Sequence, residues 1–160
     1  LAGLDIALRR RFVFREMPPR PDLLDEVEVD GIGIGALMRV MNQRVEVLLD
    51  RDHCLGHAYF LPLKDDATLP RLASIFRHQI LPLLQEYFFE DWQRIQWVLN
   101  DHRKAEPYRF LTQPRLDPHQ MFGNGIDIAG HGVRWEINWE AFNRIDAYRG
   151  IIDAGGQAER

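Results

Sequence analysis

The sequence has little of what a secreted or membrane-spanning chain needs. Its 160 residues include one cysteine, Cys54, so no disulfide can form within the chain. Nothing at its amino terminus resembles the charged and then apolar segments of a secretory signal. The longest apolar runs, such as residues 80–84, fall far short of the roughly 20 residues that cross a bilayer. These absences predict a protein of the reducing cytoplasm with no membrane partner.

An excess of positive charge is also missing. The chain carries 20 Lys and Arg against 24 Asp and Glu, for a net charge of −4, which gives no general attraction to nucleic acid. A free-standing DNA-binding module is therefore disfavoured. Hydrophobic residues make up 46% of the chain, enough to build a core and to exclude a disordered protein. The first residues, from Leu1, have the pattern of a secondary-structure element that is already under way. We therefore expect this chain to be a piece of a larger protein.

Three segments repeat apolar residues at helical spacing. The first stripe spans residues 37–49 and the second spans residues 69–87. Pro82 lies inside the second stripe and must either kink that helix or mark the first turn of a new one. A third helix is predicted to begin after Asp91, an acceptable N-cap, and to bury Trp92, Ile95 and Leu99.

The remaining segments predict β-structure and connections. Residues 4–11 suit a short helix that ends in three arginines, and residues 12–14 suit a strand. Pro18, Pro19 and Pro21 then indicate a hinge or linker. Later in the chain, residues 108–111 suit a short strand, and the alternation over residues 133–139 is typical of a half-buried strand. A final short helix is predicted to begin near Asn138, followed by a polar, frayed tail from Asp153.

The three adjacent arginines, Arg9, Arg10 and Arg11, are the first candidates for chemistry. A guanidinium stays charged and spans two phosphate oxygens, so one of them could contact a nucleotide. Cations at the end of a helix also suit its dipole, and such residues are usually solvated. From spacing alone, the solvated helix end is the stronger interpretation.

Residues 55–60, Leu-Gly-His-Ala-Tyr-Phe, are the second candidate. His53, Cys54 and His57 have the spacing of a weak metal motif, but the glutamate of the HExxH pattern and a second cysteine are missing, so we predict no metal. A better interpretation is that Gly56 permits a close approach and His57 opens a helix facing an anion. A packed turn without a ligand is an equal alternative.

Other features indicate a core rather than chemistry. The aromatic residues of segment 83–92 and the remaining tryptophans are at positions that usually pack. The acids Glu86, Glu90 and Asp91 are more often solvated than catalytic. A weaker possibility is a DNA contact near the carboxyl end, which would use the following residues: Arg103, Lys104, Arg109, Arg115, Tyr108 and Phe110. No phosphate-binding loop or nucleophile elbow is present in this sequence.

Taken in order, residues 1–14, 55–60 and 80–88 closely resemble the C-terminal part of the McrB-type AAA+ NTPases. These enzymes are the motor subunits of restriction systems that act on 5-methylcytosine and other modified DNA. The similarity covers about the first 100 residues and rests on the combination of the three motifs. The chain departs from the family at Ala58, where many relatives carry serine, and at Cys54, where some carry arginine.

The resemblance implies a fold that is mainly α, or α+β overall. Residues 1–17 would be the end of the AAA+ core, 18–35 a linker, 36–101 a helical lid bundle and 102–160 a small α+β appendage. Arg11, with Arg10 as helper, would be the arginine finger that acts on the nucleotide of the neighbouring subunit. Gly56 and His57 would belong to the lid segment that closes over the nucleotide of their own subunit.

The resemblance also implies cofactors and partners. GTP or ATP with Mg²⁺ would bind mainly to residues upstream of Leu1, so this piece alone should hydrolyse nothing. The partners would be neighbouring subunits of a ring, most simply a hexamer, an McrC-type endonuclease, and DNA contacted by other parts of the parent. The alternative from another class is a non-catalytic interaction domain that binds a protein through the Arg cluster and the aromatic appendage.

Overall fold

The structure, a computed structural model, describes residues 17–89, 91–127 and 134–153. These residues are mainly helical and include two small two-stranded sheets, so the predicted fold class is confirmed. The helix, arginines and strand predicted within residues 1–14 lie outside the described residues, as does the tail after Asp153. The chain divides into two compact units between Leu83 and Leu84.

A short hairpin begins the described part of the first unit. A 3₁₀ turn over Pro21–Leu24 leads into strand β1 (Glu28–Val29), which pairs antiparallel with β2 (Ile32–Gly33). The connecting residues Asp30 and Gly31 both have positive φ, 47° and 83°, as the tightest hairpin turns require. The segment predicted as a linker is thus more structured than expected, because its prolines and glycines delimit short elements.

The longest helix is α1 (Ile34–Leu48), and it follows β2 directly. Its apolar stripe is buried as the helical spacing predicts, and four of the stripe's side chains have no exposed surface: Leu37, Met38, Met41 and Val45. The opposite side carries Gln43 and Glu46, which are exposed. The stripe therefore makes α1 the central helix of the first unit.

Gly35 lets the first turn of α1 approach the Pro21–Leu24 turn closely. A Cβ built on Gly35 would lie 2.9 Å from the main-chain oxygen of Pro21 and 2.5 Å from a carboxylate oxygen of Asp25. That carboxylate is held by Arg39, at 2.6 Å. The close contact includes main chain, so a side chain at position 35 requires the turn to move.

Gly35→Ala is expected to lower the free energy of unfolding by about 1–3 kcal/mol, because the overlap outweighs the better helix propensity of alanine. The measurement is urea unfolding followed by far-UV circular dichroism. Gly33→Ala is the control: among the described residues its Cβ would meet only Ala36, at 3.8 Å, so its expected loss, below about 1 kcal/mol, comes from replacing a glycine N-cap and not from overlap. Equal effects of the two substitutions would refute the packing argument.

The first unit continues through two 3₁₀ turns and a long helical segment. The 3₁₀ turns span Arg51–His53 and His57–Lys64. Helix α2 (Leu69–Ile75) passes through a π turn (Phe76–Ile80) into α3 (Leu81–Tyr87), which crosses the division between the units. Pro82 is the second residue of α3, so of the two predicted roles it takes the start of a new helix. The rings of Phe60 and Phe76 pack 6.3 Å apart in the core.

The second unit contains the remaining elements. Helix α4 (Trp92–Leu99) begins at the predicted N-cap, where the Asp91 side chain accepts a hydrogen bond from the Arg94 N–H at 3.3 Å. Two 3₁₀ turns follow, at Asp101–Arg103 and Glu106–Tyr108. The other elements are β3 (Leu111–Thr112), α5 (Pro118–Phe122), β4 (Glu136–Ile137), a 3₁₀ turn (Trp139–Asn143) and α6 (Ile145–Ile152).

The boundaries of the predicted β-structure and final helix were partly wrong. Residues 106–108 form a 3₁₀ turn, and the strand begins only at Leu111, because Phe110 turns inward with 1% of its surface exposed. In the described part of the predicted strand 133–139, only Glu136–Ile137 is a strand, paired antiparallel with β3. The final helix begins at Ile145 rather than near Asn138, since a 3₁₀ turn precedes it.

The core of the second unit includes aromatic residues and a buried ion pair. The ring of Phe110 lies 5.0 Å from that of Phe142 and 5.3 Å from that of Tyr148, both in edge-on geometry. The Tyr148 hydroxyl donates to the Phe142 carbonyl at 2.7 Å. Within this core, Lys104 Nζ lies 2.9 Å from Asp101 Oδ1, and both side chains are buried. Of the aromatic residues that the sequence places in a core, Phe88 is buried, whereas Phe89, Trp97 and Trp139 are 92%, 39% and 49% exposed, so that prediction was partly wrong.

Candidate functional site

The predicted site residues are only partly described. Arg10 and Arg11 lie outside the described residues, whereas Gly56 and His57 lie within them. These two residues are found where the chain passes from the 3₁₀ turn Arg51–His53 to the 3₁₀ turn His57–Lys64. We call residues 54–57 the histidine turn. His57 opens a 3₁₀ segment of eight residues rather than an α-helix.

Asn42 of α1 holds the histidine turn by its main chain. The Asn42 side-chain oxygen accepts a hydrogen bond from the Leu55 N–H at 2.6 Å, and the Asn42 amide donates to the Leu55 carbonyl at 3.0 Å. The Cys54 thiol donates to the Asn42 carbonyl at 3.7 Å. Leu55 itself is fully buried. The turn is therefore anchored to the central helix immediately before Gly56 and His57.

The ring of His57 is held from a different part of the chain. Its Nδ1 atom accepts a hydrogen bond from the main-chain N–H of Arg20, at 3.0 Å. A neutral imidazole has one donor and one acceptor nitrogen. Because Nδ1 accepts, the proton is on Nε2, and the partly exposed ring can offer an N–H donor to a ligand.

Among the described residues, no packed chain approaches Gly56. Its φ is −72°, and a Cβ placed there would have no atom within 4 Å among the described residues. The described chain therefore does not make the close approach predicted for this glycine, which stays a prediction for a ligand. As far as the described residues show, the space beside Gly56 and the imidazole is open, so a ligand can reach the turn there without displacing a side chain.

The possible metal residues are separated by their partners. The Nδ1 atom of His53 lies 2.6 Å from Asp50, and this hydrogen bond lowers the pKa of the Asp50 carboxyl. Burial, together with the negative charges of Glu46 and Asp50, raises the pKa of the Cys54 thiol, which disfavours the thiolate that metals bind. Across the described ranges, no three His, Cys, Asp or Glu side chains are grouped as metal ligands.

The weaker DNA hypothesis loses two of its six residues. Lys104 and Phe110 are buried, with 5% and 1% of their surfaces exposed. The Nε of the half-buried Arg109 donates to the Lys104 carbonyl, at 2.8 Å. The basic and aromatic side chains therefore do not form the interleaved surface that was predicted there, because Lys104 and Phe110 belong to the core of the second unit.

Within the described part of the chain, no helix has the length and apolar content to span a bilayer.

Two groups that hold the turn, Asn42 and the main chain of Arg20, were not predicted from the sequence. Asn42 follows the buried Met41 on α1, and its partner Leu55 is 13 residues away. A polar residue next to an apolar stripe is the only signal, and it does not identify the partner. The Arg20 contact has no signal at all, because its donor is a main-chain N–H that nearly every residue carries.

Comparison with known proteins places this site within a domain family. Residues 33–96, which contain α1 and the histidine turn, match the family profile "McrB, alpha-helical lid domain". The chain is similar to the "Type IV methyl-directed restriction enzyme EcoKMcrB subunit" of Escherichia coli (strain K12). The two are 32% identical over 114 residues, which cover 61% of this chain and 25% of that subunit. The chain thus spans about a quarter of the length of this relative. Residues 33–96 therefore form an McrB-type alpha-helical lid domain, and the chain is a distant homologue of the McrB restriction subunit.

Proposed function

We propose that this chain is the lid-containing part of an AAA+ nucleoside triphosphatase that powers modification-dependent restriction. The observation that carries the proposal is the histidine turn. It lies inside the matched lid segment, it is anchored at both ends, and it offers an imidazole N–H beside an open glycine. Such a turn suits a lid that closes over a polyanionic ligand.

The chemistry assigned to the turn is recognition of phosphate. The Nε2–H of His57 donates to a phosphate oxygen of GTP or ATP, and such a hydrogen bond to a charged acceptor is stronger than one to a neutral acceptor. Gly56 contributes by having no side chain at the point of approach. Mg²⁺ would neutralise charge on the phosphates, and residues in other parts of the parent protein would hold it and form the phosphate-cradling loop.

The proposed motor is completed by the segment before the lid and by other subunits. Arg11, helped by Arg10, is the arginine finger that reaches the nucleotide of a neighbouring subunit in a ring, most simply a hexamer. The ring passes the energy of hydrolysis to an McrC-type endonuclease, and other parts of the parent bind DNA. The E. coli relative, named as a restriction enzyme subunit, supports the part of this proposal that concerns restriction.

In the full-length protein, His57→Ala is expected to weaken binding of fluorescent GTP or ATP roughly tenfold, since a hydrogen bond to a charged group contributes about 1.5 kcal/mol. The measurement is a titration with a fluorescent, nonhydrolysable analogue of GTP or ATP, so that binding is followed without hydrolysis. His78→Ala is the matched control, because His78 is exposed in the π turn of the same unit. Unchanged affinity in His57→Ala would overturn the phosphate contact.

A further inference from the structure

The position of His57 depends on the main chain that precedes it. A phosphate contact is sensitive to displacements of about 1 Å, so the residues that fix the turn matter as much as the imidazole. Asn42 takes part in three hydrogen bonds that join the histidine turn to α1. The ring has its own tether in the Arg20 N–H. Asn42 and the Arg20 main chain thus hold different parts of the same short segment.

We propose that Asn42 is a positioning residue for nucleotide binding, holding the histidine turn against α1 so that His57 presents its N–H to the phosphates. The inference rests on the proposed function of His57. Asn42 itself does not touch the nucleotide. It acts through Leu55, whose N–H and carbonyl are both occupied by the one side chain.

The chemistry of the amide explains why asparagine suits this position. Its side chain has a donor nitrogen and an acceptor oxygen on separate atoms, a short distance apart. Leu55 presents the complementary acceptor and donor. The two hydrogen bonds fix the distance of the Leu55 peptide groups from α1 and their orientation. Aspartate has the same size but only acceptors when ionised, so it keeps the bond to the Leu55 N–H and repels the Leu55 carbonyl.

The buried side chain of Leu55 makes this anchor specific to the turn. Leu55 is fully buried, so the main chain at this position cannot exchange its hydrogen bonds for water without leaving the core. When one of the two bonds is lost, we expect the following residues to shift rather than the core to dissolve. That shift displaces His57 while the helices stay folded.

The test is a comparison of Asn42→Asp with Gln43→Ala in the full-length protein. Gln43 is the next residue of α1 and is exposed, so its substitution should change nothing. Asn42→Asp is expected to raise the KM for nucleotide roughly fivefold while kcat at saturation stays within about twofold, because a ground-state contact is misplaced. A fall in kcat with an unchanged KM overturns the inference.

A double-mutant cycle separates this inference from the proposed function. In a His57→Ala background, Asn42→Asp should have no further effect on nucleotide affinity, because the group it positions is gone. If His57→Ala alone leaves affinity unchanged, the proposed function fails. If His57→Ala weakens binding but Asn42→Asp does not, or if the two effects simply add, the positioning role fails and the function stands. Should Asn42→Asp unfold the protein, Asn42→Gln, which keeps both polar groups on a longer stem, is judged by the same cycle.

Discussion

Replacing Arg11 with alanine in the full-length protein is expected to lower steady-state nucleotide turnover at least about tenfold, a cost of about 1.4 kcal/mol or more. Nucleotide binding should stay nearly intact. The reason is that an arginine finger neutralises charge that develops on the transferred phosphoryl group, so its main effect falls on the transition state. Turnover is measured with GTP and with ATP, at a protein concentration at which rings assemble.

Arg9→Ala provides the matched control for this experiment. Arg9 belongs to the same run of three arginines, and the resemblance gives it no role, so its loss should leave turnover within about twofold. Equal losses in the two variants would indicate a general effect of charge rather than a finger. If neither nucleotide is hydrolysed even by the wild type with its partner subunit, the chain is better explained as the non-catalytic interaction domain.

A mixing experiment tests whether Arg11 acts across a subunit boundary. The Arg11→Ala protein is combined with a second variant that retains Arg11 but cannot bind nucleotide. Each variant alone should turn over at no more than about a tenth of the wild-type rate, whereas the mixture places an intact arginine beside an intact nucleotide site at some interfaces. Partial recovery of activity is therefore expected. If the mixture stays inactive although mixed rings form, the arginine does not act in trans.

Lys104→Met is expected to destabilise the second unit by about 3–5 kcal/mol, because it leaves the Asp101 carboxylate buried without its cation. Lys104 Nζ lies 2.9 Å from Asp101 Oδ1, and the two side chains are 3% and 0% exposed. The other Asp101 oxygen accepts from the Leu111 N–H at 2.8 Å. Lys104 Nζ also lies 4.4 Å from the centre of the Phe110 ring, so the lysine contacts the aromatic core as well.

The stability that Lys104→Met loses should depend on pH, and the pKa of Asp101 sets the direction of that dependence. Burial raises the pKa of the Asp101 carboxyl, although Lys104 opposes this shift. Because the pKa of this carboxyl is higher in the folded state than in the unfolded state, its contribution to the free energy of unfolding is present in acid. That contribution is lost as the pH rises above about 4. Without Lys104 the pKa rises further. Lys104→Met should therefore lose less stability at about pH 5 than at about pH 8.

Tryptophan fluorescence gives this prediction a local readout. All four tryptophans, at positions 92, 97, 135 and 139, belong to the second unit, so their emission in urea follows that unit. Arg103→Met is the matched control, since Arg103 is exposed. Combining Asp101→Asn with Lys104→Met should recover most of the loss, because asparagine still accepts from Leu111 without a buried charge. An equal loss in the single and double variants would contradict the charge argument.

The helices were predictable because their buried apolar residues recur along the sequence with the period of an α-helix. The stripe of α1 and the cap at Asp91 need only neighbours in sequence, and both are present in the structure. The hairpin at Asp30 was missed, although Asp-Gly is a strong turn signal, because its strands are only two residues long. Strand boundaries near Leu111 depend on pairing with Ile137, and no local pattern reports that partner.

The candidate site was predictable only to the level of its motif. The family resemblance singled out Gly56 and His57, and the matched lid segment contains both. The bonds from Asn42 and Arg20 join residues 13 and 37 positions apart, so they follow from the fold and not from local sequence. The burial of Lys104 was also unpredictable, because a charged residue is normally solvated unless a partner accompanies it.

The donor to His57 has a consequence for how this site can vary in evolution. The contact comes from the main-chain N–H of Arg20, whereas the guanidinium is paired with Asp22, at 2.6 and 2.8 Å. Any residue except proline supplies that N–H, even though prolines occupy positions 18, 19 and 21. The residue at position 20 can therefore be substituted in evolution without loss of the hydrogen bond to His57. Covariation between positions 20 and 57 should be absent, so methods that infer contacts from paired substitutions will overlook one that the fold makes.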